Sequence, residues 1–301
     1  MQVTGNHQTY KIVSRIKQGK FNYVYIAESI LEREKFIIKF ISKNNPLERI
    51  KQLQNEFYIQ AVHPNIATVV DCFETNAGFF VVRRYIEGND LAVINQKKDF
   101  TLAESVKIAI QVLIALDYLH QRQIVHGDIR PENILLTNNN KAILLDLGLS
   151  RNFPQSKNKR FPFALLYAAP EQILQKHHLV NPSTDMFALG LTMWHIITGE
   201  PQITNENPEF IMHLQLTQNL VKPGYMPDEF FKILYKATLR PELRKPPAMY
   251  SEYELDNLLA VAVNKRYKTA LEMKEDLLAV LPELEKIKPT IFDKINRLFG
   301  R

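Results

Sequence analysis

Apolar and polar residues alternate along Tyr10 to Ser29 on both sides of Gln18-Gly19-Lys20-Phe21-Asn22, the period of two strands joined by a tight loop. Phe36-Ile37-Ile38-Lys39-Phe40 is denser in β-branched and aromatic residues and predicts a buried strand, whose single lysine needs a partner for its charge. Pro46 to Gln60 reads as a helix with proline near its start, where a fixed φ is tolerated. Phe79 to Tyr85 predicts a second buried strand. At Thr101-Leu102-Ala103-Glu104 the spacing of a capping box opens an amphipathic helix that runs through His120. Ile134-Leu135-Leu136 and Ala142-Ile143-Leu144-Leu145, separated by Asn138-Asn139-Asn140, predict a hairpin. Ser251 to Glu254 and Thr269 to Glu272 repeat the capping pattern and predict two late helices.

Composition narrows the class. With 301 residues, 46% hydrophobic and 23% charged, the chain can bury a core and is neither disordered nor fibrous in make-up, so one domain of two lobes or two small domains fits. No apolar run reaches the roughly 18 residues of a membrane span, and Asn6, His7 and Gln8 interrupt any signal-peptide core, so a soluble, cytoplasmic protein is expected. The single cysteine, Cys72, excludes an internal disulfide and a cysteine-built metal site and reads as packing in a reducing compartment. The net charge of +6 is spread along the chain without aromatic-interleaved basic stretches or zinc-ligand spacing, so no nucleic-acid partner is expected. There is no internal repeat or low-complexity tract.

The chemistry concentrates in Val125-His126-Gly127-Asp128-Ile129-Arg130-Pro131-Glu132-Asn133 and in Asp146-Leu147-Gly148. Asp128, an Asn five positions on and Asp146 eighteen positions on supply a general base and two oxygen ligands, the set that phosphoryl transfer through Mg²⁺ requires. The predicted hairpin between them would bring both carboxylates to one cleft. These residues resemble the catalytic and metal-binding loops of the eukaryotic-like (Hanks-type) protein kinase family, as a non-RD variant with Gly127 where many members carry arginine. Further motifs follow in family order: Ala168-Ala169-Pro170-Glu171, then Asp185-Met186-Phe187-Ala188-Leu189-Gly190, then Arg266.

The resemblance runs from Tyr10 to about Leu281 and implies an α+β, bilobal protein kinase-like fold. A small antiparallel β lobe would occupy residues 1–86, a larger mainly helical lobe 87–281, and a C-terminal amphipathic tail 282–301. ATP would lie between the lobes with Mg²⁺, and the γ-phosphoryl group would pass to a protein hydroxyl, serine or threonine by preference. Carried over residue by residue, Lys39 is the α/β-phosphate lysine and Glu56 its partner. Asp128 is the catalytic base, and Asn133 and Asp146 are the metal ligands. Arg130, in place of the usual lysine, would act as a fork donor to the transferring phosphate. Gly19, Lys20, Val24 and Leu135 join Lys39 as nucleotide-binding residues. Asp185 would accept hydrogen bonds from the catalytic-loop backbone, and Arg266 would pair with Glu171 to buttress the substrate loop.

Several positions depart from the pattern. In the glycine-rich loop only Gly19 matches, with Lys17 and Asn22 in place of the first and third glycines. Ile37 replaces a small alanine above adenine, and Ala164 replaces the threonine usual before Ala-Pro-Glu. Arg83 falls at the back of the nucleotide pocket, where it needs a carboxylate from Glu56 or Asp146. Only seven residues separate Glu56 from His63-Pro64-Asn65-Ile66, so a shortened loop after the helix is expected. The stretch Arg240 to Asn264 is longer than the family's connection. Two rivals stay open: a small-molecule phosphotransferase of the aminoglycoside or choline kinase kind, and a pseudokinase scaffold. Ala-Pro-Glu, Asp185 to Gly190 and Arg266 argue against the first; Lys39, Asp128, Asn133 and Asp146 together argue against the second.

Two regions raise questions of partners. Ser150 to Phe163 carries Arg151, Lys157, Lys159 and Arg160, which fit an acidic protein substrate or a solvated loop equally well. Ile291, Phe292, Ile295, Leu298 and Phe299 share one helical face in 291–301, suited to docking on the C-lobe or to an anionic membrane or partner. Gly127 offers no charge for an activation-segment phosphate, so activity without phosphorylation of Ser150 or Ser156 is expected.

Overall fold

The first third of the chain, in a computed structural model describing residues 1–19, 21–97, 100–153 and 162–287, folds into a six-stranded antiparallel sheet. Its strands are β1 (Gln2–Thr4), β2 (Thr9–Gln18), β3 (Asn22–Ser29), β4 (Lys35–Ser42), β5 (Val69–Glu74) and β6 (Gly78–Arg84), in the order β1-β2-β3-β4-β6-β5. β4 and β6, which carry the β-branched and aromatic runs Phe36 to Phe40 and Phe79 to Val82, lie inside this order. One face of the sheet packs Tyr10, Phe36, Ile38, Phe73, Phe80 and Val82 into a small core. On the other face α1 (Leu47–Tyr58), entered through Pro46, presses Leu53 against Ile41 and Val81.

After Tyr85 the character changes. A three-stranded sheet forms from β7 (Gly88–Asp90), β9 (Ile134–Thr137) and β10 (Ala142–Leu144), with β9 and β10 paired as the predicted hairpin, and β8 (Ile124–Val125) pairs with β11 (Arg151–Asn152). The remaining scaffold is helical: α2 (Leu91–Asn95), α3 (Leu102–His120), α4 (Pro170–Ile173), α5 (Pro182–Thr198), α6 (Pro208–Thr217), α7 (Asp228–Ala237), α8 (Glu252–Lys265) and α9 (Ala270–Lys286). The Thr101 capping box is present, with Glu104 N–H donating to Thr101 Oγ1 and Thr101 N–H to Glu104 Oε2. At α9 the pattern is half met: Thr269 Oγ1 caps Glu272 N–H, but the Glu272 carboxylate takes the Lys268 N–H instead. These helices enclose a second, larger core built around Val112, Leu116, Phe187, Phe230 and Leu277. The sheet with α1 and the helical region, which also takes Ala61 and Ile66 into its core, pack as separate clusters and make the molecule the bilobal α+β fold that the resemblance implies.

The long connection after Arg240 contains the predicted extra helix, α8. It is pinned next to α4: Lys176 Nζ lies 2.7 Å from Glu252 and 2.8 Å from Asp256, and His178 Nε2 lies 3.1 Å from Asp256. Lys20, Ser156, Lys157, Lys159, Arg160 and the 291–301 face, all singled out in the sequence, lie outside the described residues. Among the described residues no helix is long and apolar enough to cross a membrane.

Candidate active site

Lys39 sits in an interior strand, opposite Val24 of β3 and Val81 of β6, so its charge has no route to solvent along a sheet edge. Its side chain follows the face of Ile37 and Ile41 toward the cleft between the lobes. There Nζ meets Glu56 Oε1 at 2.5 Å and Asp146 Oδ2 at 2.8 Å. The short link from α1 to His63 is made through Gln60, which takes φ +45°, so Glu56 reaches Lys39 despite the reduced spacing. Burial pushes the Glu56 carboxyl up to about 7, against the pull of Lys39. Withdrawal from solvent opposes ionisation of Asp146 as well, but Lys39 beside it holds that carboxyl well below the usual range. Asp146 itself adopts a left-handed backbone with φ +62°, and its Oδ1 accepts the Gly148 N–H at 3.3 Å. That conformation is uncommon for a non-glycine residue and aims the side chain at the cleft.

The catalytic loop is fixed from below by Asp185 at the start of α5. Its Oδ2 accepts the His126 N–H at 2.8 Å and its Oδ1 the Gly127 N–H at 2.8 Å, while His120 Nε2 lies 2.8 Å from Oδ2. Desolvation would raise the Asp185 carboxyl, but these bonds outweigh it and hold it below its ordinary value. Next along the loop, Asn133 Nδ2 donates to Asp128 Oδ2 at 2.7 Å and to the Asp128 carbonyl at 2.9 Å. Both partners are acceptors, so the amide orientation is chemically forced, with Nδ2 toward Asp128. Asp128 Oδ1 is buried and accepts no hydrogen bond among the described residues. Burial raises the Asp128 carboxyl above its normal value, with Arg130 opposing that rise. Arg130 Nε is itself 3.0 Å from Glu132 Oε2, so its guanidinium stands beside Asp128 without pairing to it.

Lys39, Glu56, Asp128 and Asp146 line one cavity of about 260 Å³, together with Phe21, Asn22, Arg49, Gln52 and Gly148. Val24 and the half-buried Leu135 lie on β3 and β9, and Gly19 closes the β2–β3 turn by donating its N–H to Asn22 O at 2.8 Å. A Cβ on Gly19 would come within 2.4 Å of Asn22 Oδ1, which a swing of the Asn22 side chain can relieve. Arg83 differs from expectation. It is buried on β6, and its charge favours ionisation of both Glu56 and Asp146, yet it forms no ion pair with either among the described residues. Lys39 already occupies the space between the two carboxylates.

Several positioning residues were invisible in the sequence. Asn55, just before Glu56, donates to Ser150 O at 2.6 Å and Leu147 O at 3.2 Å, which ties α1 to the loop that follows Asp146. Ser150 is buried and its Oγ donates to His126 O at 3.1 Å, so it is no accessible phosphorylation site. Gln172, the residue after Glu171, bridges two loops: its Nε2 donates to Gly127 O at 3.0 Å and its Oε1 accepts the Ala169 N–H at 3.0 Å. Gln215 holds the carbonyl of Leu166 at 2.9 Å. Side-chain amides that reach distant carbonyls leave no periodicity to read. The Glu171–Arg266 pair was readable, and it is fully buried with contacts of 2.8 and 3.0 Å.

Similarity to known proteins agrees with this arrangement. The family described as protein kinase domain matches residues 10–276. The chain is 30% identical over 230 residues to the probable serine/threonine-protein kinase MARK-A of Dictyostelium discoideum, covering 75% of this chain and 21% of that protein. It is 28% identical over 226 residues to an Aurora kinase of Eremothecium gossypii, covering 73% and 61%. With the serine/threonine-protein kinase ppk25 of Schizosaccharomyces pombe the figures are 29% over 226 residues, 72% and 53%. The chain thus spans between 21% and 61% of the length of these relatives. A profile that takes in both lobes, the Lys39–Glu56–Asp146 cluster and the Asp128 loop shows that the chain belongs to the protein kinase family.

Proposed function

We propose that this chain transfers the γ-phosphoryl group of ATP, with Mg²⁺, to a serine or threonine hydroxyl of a protein. The observation that carries the reading is Asp128: it lines the cleft, with one oxygen held by Asn133 and the other buried and unpartnered among the described residues. A carboxylate in that state is suited to orient a hydroxyl and accept its proton. The donor set fits the metal. Asn133 Oδ1 and the Asp146 carboxylate are hard oxygen ligands, and no cluster of three or more metal-ligating side chains exists among the described residues, as expected where phosphates and water complete the shell. When bound, Mg²⁺ supplies charge to neutralise the transferring phosphate. Lys39, oriented by Glu56, would hold the α/β-phosphates, and Arg130 would add a fork donor near the acceptor.

The protein acceptor is supported by the buried Glu171–Arg266 pair, which braces a substrate loop that a small-molecule kinase does not need. Serine/threonine preference rests on the names of the relatives. An acidic acceptor is suggested by Lys157, Lys159 and Arg160; Arg151, grouped with them in the sequence, is buried and does not face an acceptor. The test incubates the pure protein with labelled ATP, with and without Mg²⁺, and with generic acidic and basic protein substrates, beside Asp128→Asn. Mg²⁺-dependent label on serine or threonine, absent in the variant, is the expected result. No transfer, or equal transfer by Asp128→Asn, overturns the reading.

A further inference from the structure

Glycines let the backbone of a phosphate-wrapping loop approach its ligand closely, and this loop has few of them. Lys17 and Asn22 stand at two of the expected glycine positions, and the N–H of the remaining Gly19 is engaged by Asn22 O at 2.8 Å. A loop whose side chains keep its backbone back leaves part of a polyphosphate's charge for another group to meet.

Arg49 stands where that charge is needed. It lies in the first turn of α1 and lines the same cavity as Lys39, Asp128 and Asp146. Its guanidinium rests 4.9 Å from the centre of the Phe21 ring at the tip of the β2–β3 turn, within cation–π range. Nη1 donates to Gln52 Oε1 at 3.0 Å. Among the described residues that is its only hydrogen bond, and no carboxylate lies within ion-pair distance of it. A guanidinium has five donors in a planar fork suited to phosphate oxygens. In Arg49 most of these donors remain open on the cleft side. Phe21 and Gln52 hold the group in place without neutralising it, which lowers the entropy lost when an anion arrives.

We propose that Arg49 is a phosphate-binding residue that grips the terminal phosphates of the nucleotide from α1, adding charge where the β2–β3 loop has few glycines. The proposal rests on the reading of the cleft as an ATP site and adds a residue to it. It also gives the loop tip a second duty: Phe21 is the platform that aims Arg49.

The experiment measures binding of ATP, ADP and AMP, each with Mg²⁺, by calorimetry on the full chain and on Arg49→Ala, Arg49→Lys and Phe21→Ala. Arg49→Ala should weaken ATP by about tenfold or more, as loss of a charge-assisted contact does, and AMP by less than about twofold, since AMP lacks the terminal phosphates. Arg49→Lys should recover part of the ATP affinity, because the charge returns without the fork. Phe21→Ala should fall between the native chain and Arg49→Ala for ATP. Equal weakening of all three nucleotides by Arg49→Ala would mean a general disturbance of the cleft and would overturn the proposal. So would unchanged ATP affinity. If the native chain binds none of the three, the ATP reading itself fails; if it binds ATP and only the Arg49 discrimination is missing, the failure is confined to Arg49.

Discussion

Replacing Arg266 by alanine tests whether the helical lobe is held by one buried ion pair. Arg266 Nη1 lies 2.8 and 3.0 Å from the two Glu171 oxygens, Nε donates to Leu239 O at 2.8 Å, and the guanidinium stacks 4.7 Å from the Phe187 ring. Neither side chain of the pair has any solvent exposure. Truncation leaves the Glu171 carboxylate buried with Thr184 Oγ1 as its remaining side-chain partner, 2.8 Å away. Breaking a buried pair in this way costs about 3–5 kcal/mol, a large share of the roughly 5–15 kcal/mol that holds a typical domain. The assay is urea unfolding followed by the single tryptophan, Trp194, which lies on α5 with Thr184 and Phe187 and so reports the lobe in question. The expected result is a midpoint shift at unchanged slope. Glu171→Gln combined with Arg266→Met removes both charges and should recover at least about 2 kcal/mol relative to Arg266→Ala, because the orphaned charge is gone. A loss below about 1 kcal/mol for Arg266→Ala, or a double variant no better than the single one, would refute the reasoning.

Lys39→Ala should lower the phosphoryl-transfer rate by about 10² or more and also lower the urea midpoint, because it leaves the buried Glu56 carboxylate without its cation; initial rates check the first and unfolding the second. Asp185 has its native carboxyl held below the ordinary value, so its stabilisation is present above the unfolded value of about 3.9 and is lost as pH falls through the native one. Asp185→Asn should therefore be less stable at neutral pH and show a flatter loss of stability below about pH 4 than the native chain, as followed by urea midpoints against pH. Gln172→Ala leaves Gly127 O and Ala169 N–H without their bridge and should reduce kcat several-fold with KM for ATP little changed, whereas Gln172→Glu, which keeps only the acceptor, should fall between. Ser150→Ala removes the bond to His126 O and should cost about 0.5–1.5 kcal/mol of stability, with no change in the response to phosphatase treatment.

What could be read from the sequence divides along physical lines. Elements that rest on periodic apolar burial were legible: β4 and β6 from their β-branched runs, the β9–β10 hairpin from its asparagine turn, α3 and α8 from their caps. So were charges that burial forces to pair, as with Lys39 and Glu171. Arg83 shows where the rule is too coarse. Burial of a charge demands compensation, but that can come from two carboxylates at a distance when another cation has taken the near positions. Gln172, Asn55 and Gln215 stayed hidden because each binds backbone carbonyls, which every residue has, so neither partner marks the pairing in the sequence.

Gly127 brings these threads to one point. Its φ of +76° lies in the left-handed region, and a Cβ there would sit 3.2 Å from Leu149 O and 3.5 Å from Arg151 Nη2. A side chain at this position costs about 1–2 kcal/mol of backbone strain in addition to that crowding. An arginine here would therefore carry strain and an uncompensated charge together, and an incoming phosphate would relieve only the charge. With glycine neither cost arises, so the loop has no high-energy form waiting for a phosphate. Its geometry is set instead by partners that phosphorylation does not touch: Asp185 on the Gly127 N–H, Gln172 on the Gly127 carbonyl and Ser150 on the carbonyl before it. A catalytic loop held this way is expected to work without an activation-segment phosphate: phosphatase treatment should change the transfer rate by less than about threefold, and loss of most of the activity would refute the argument.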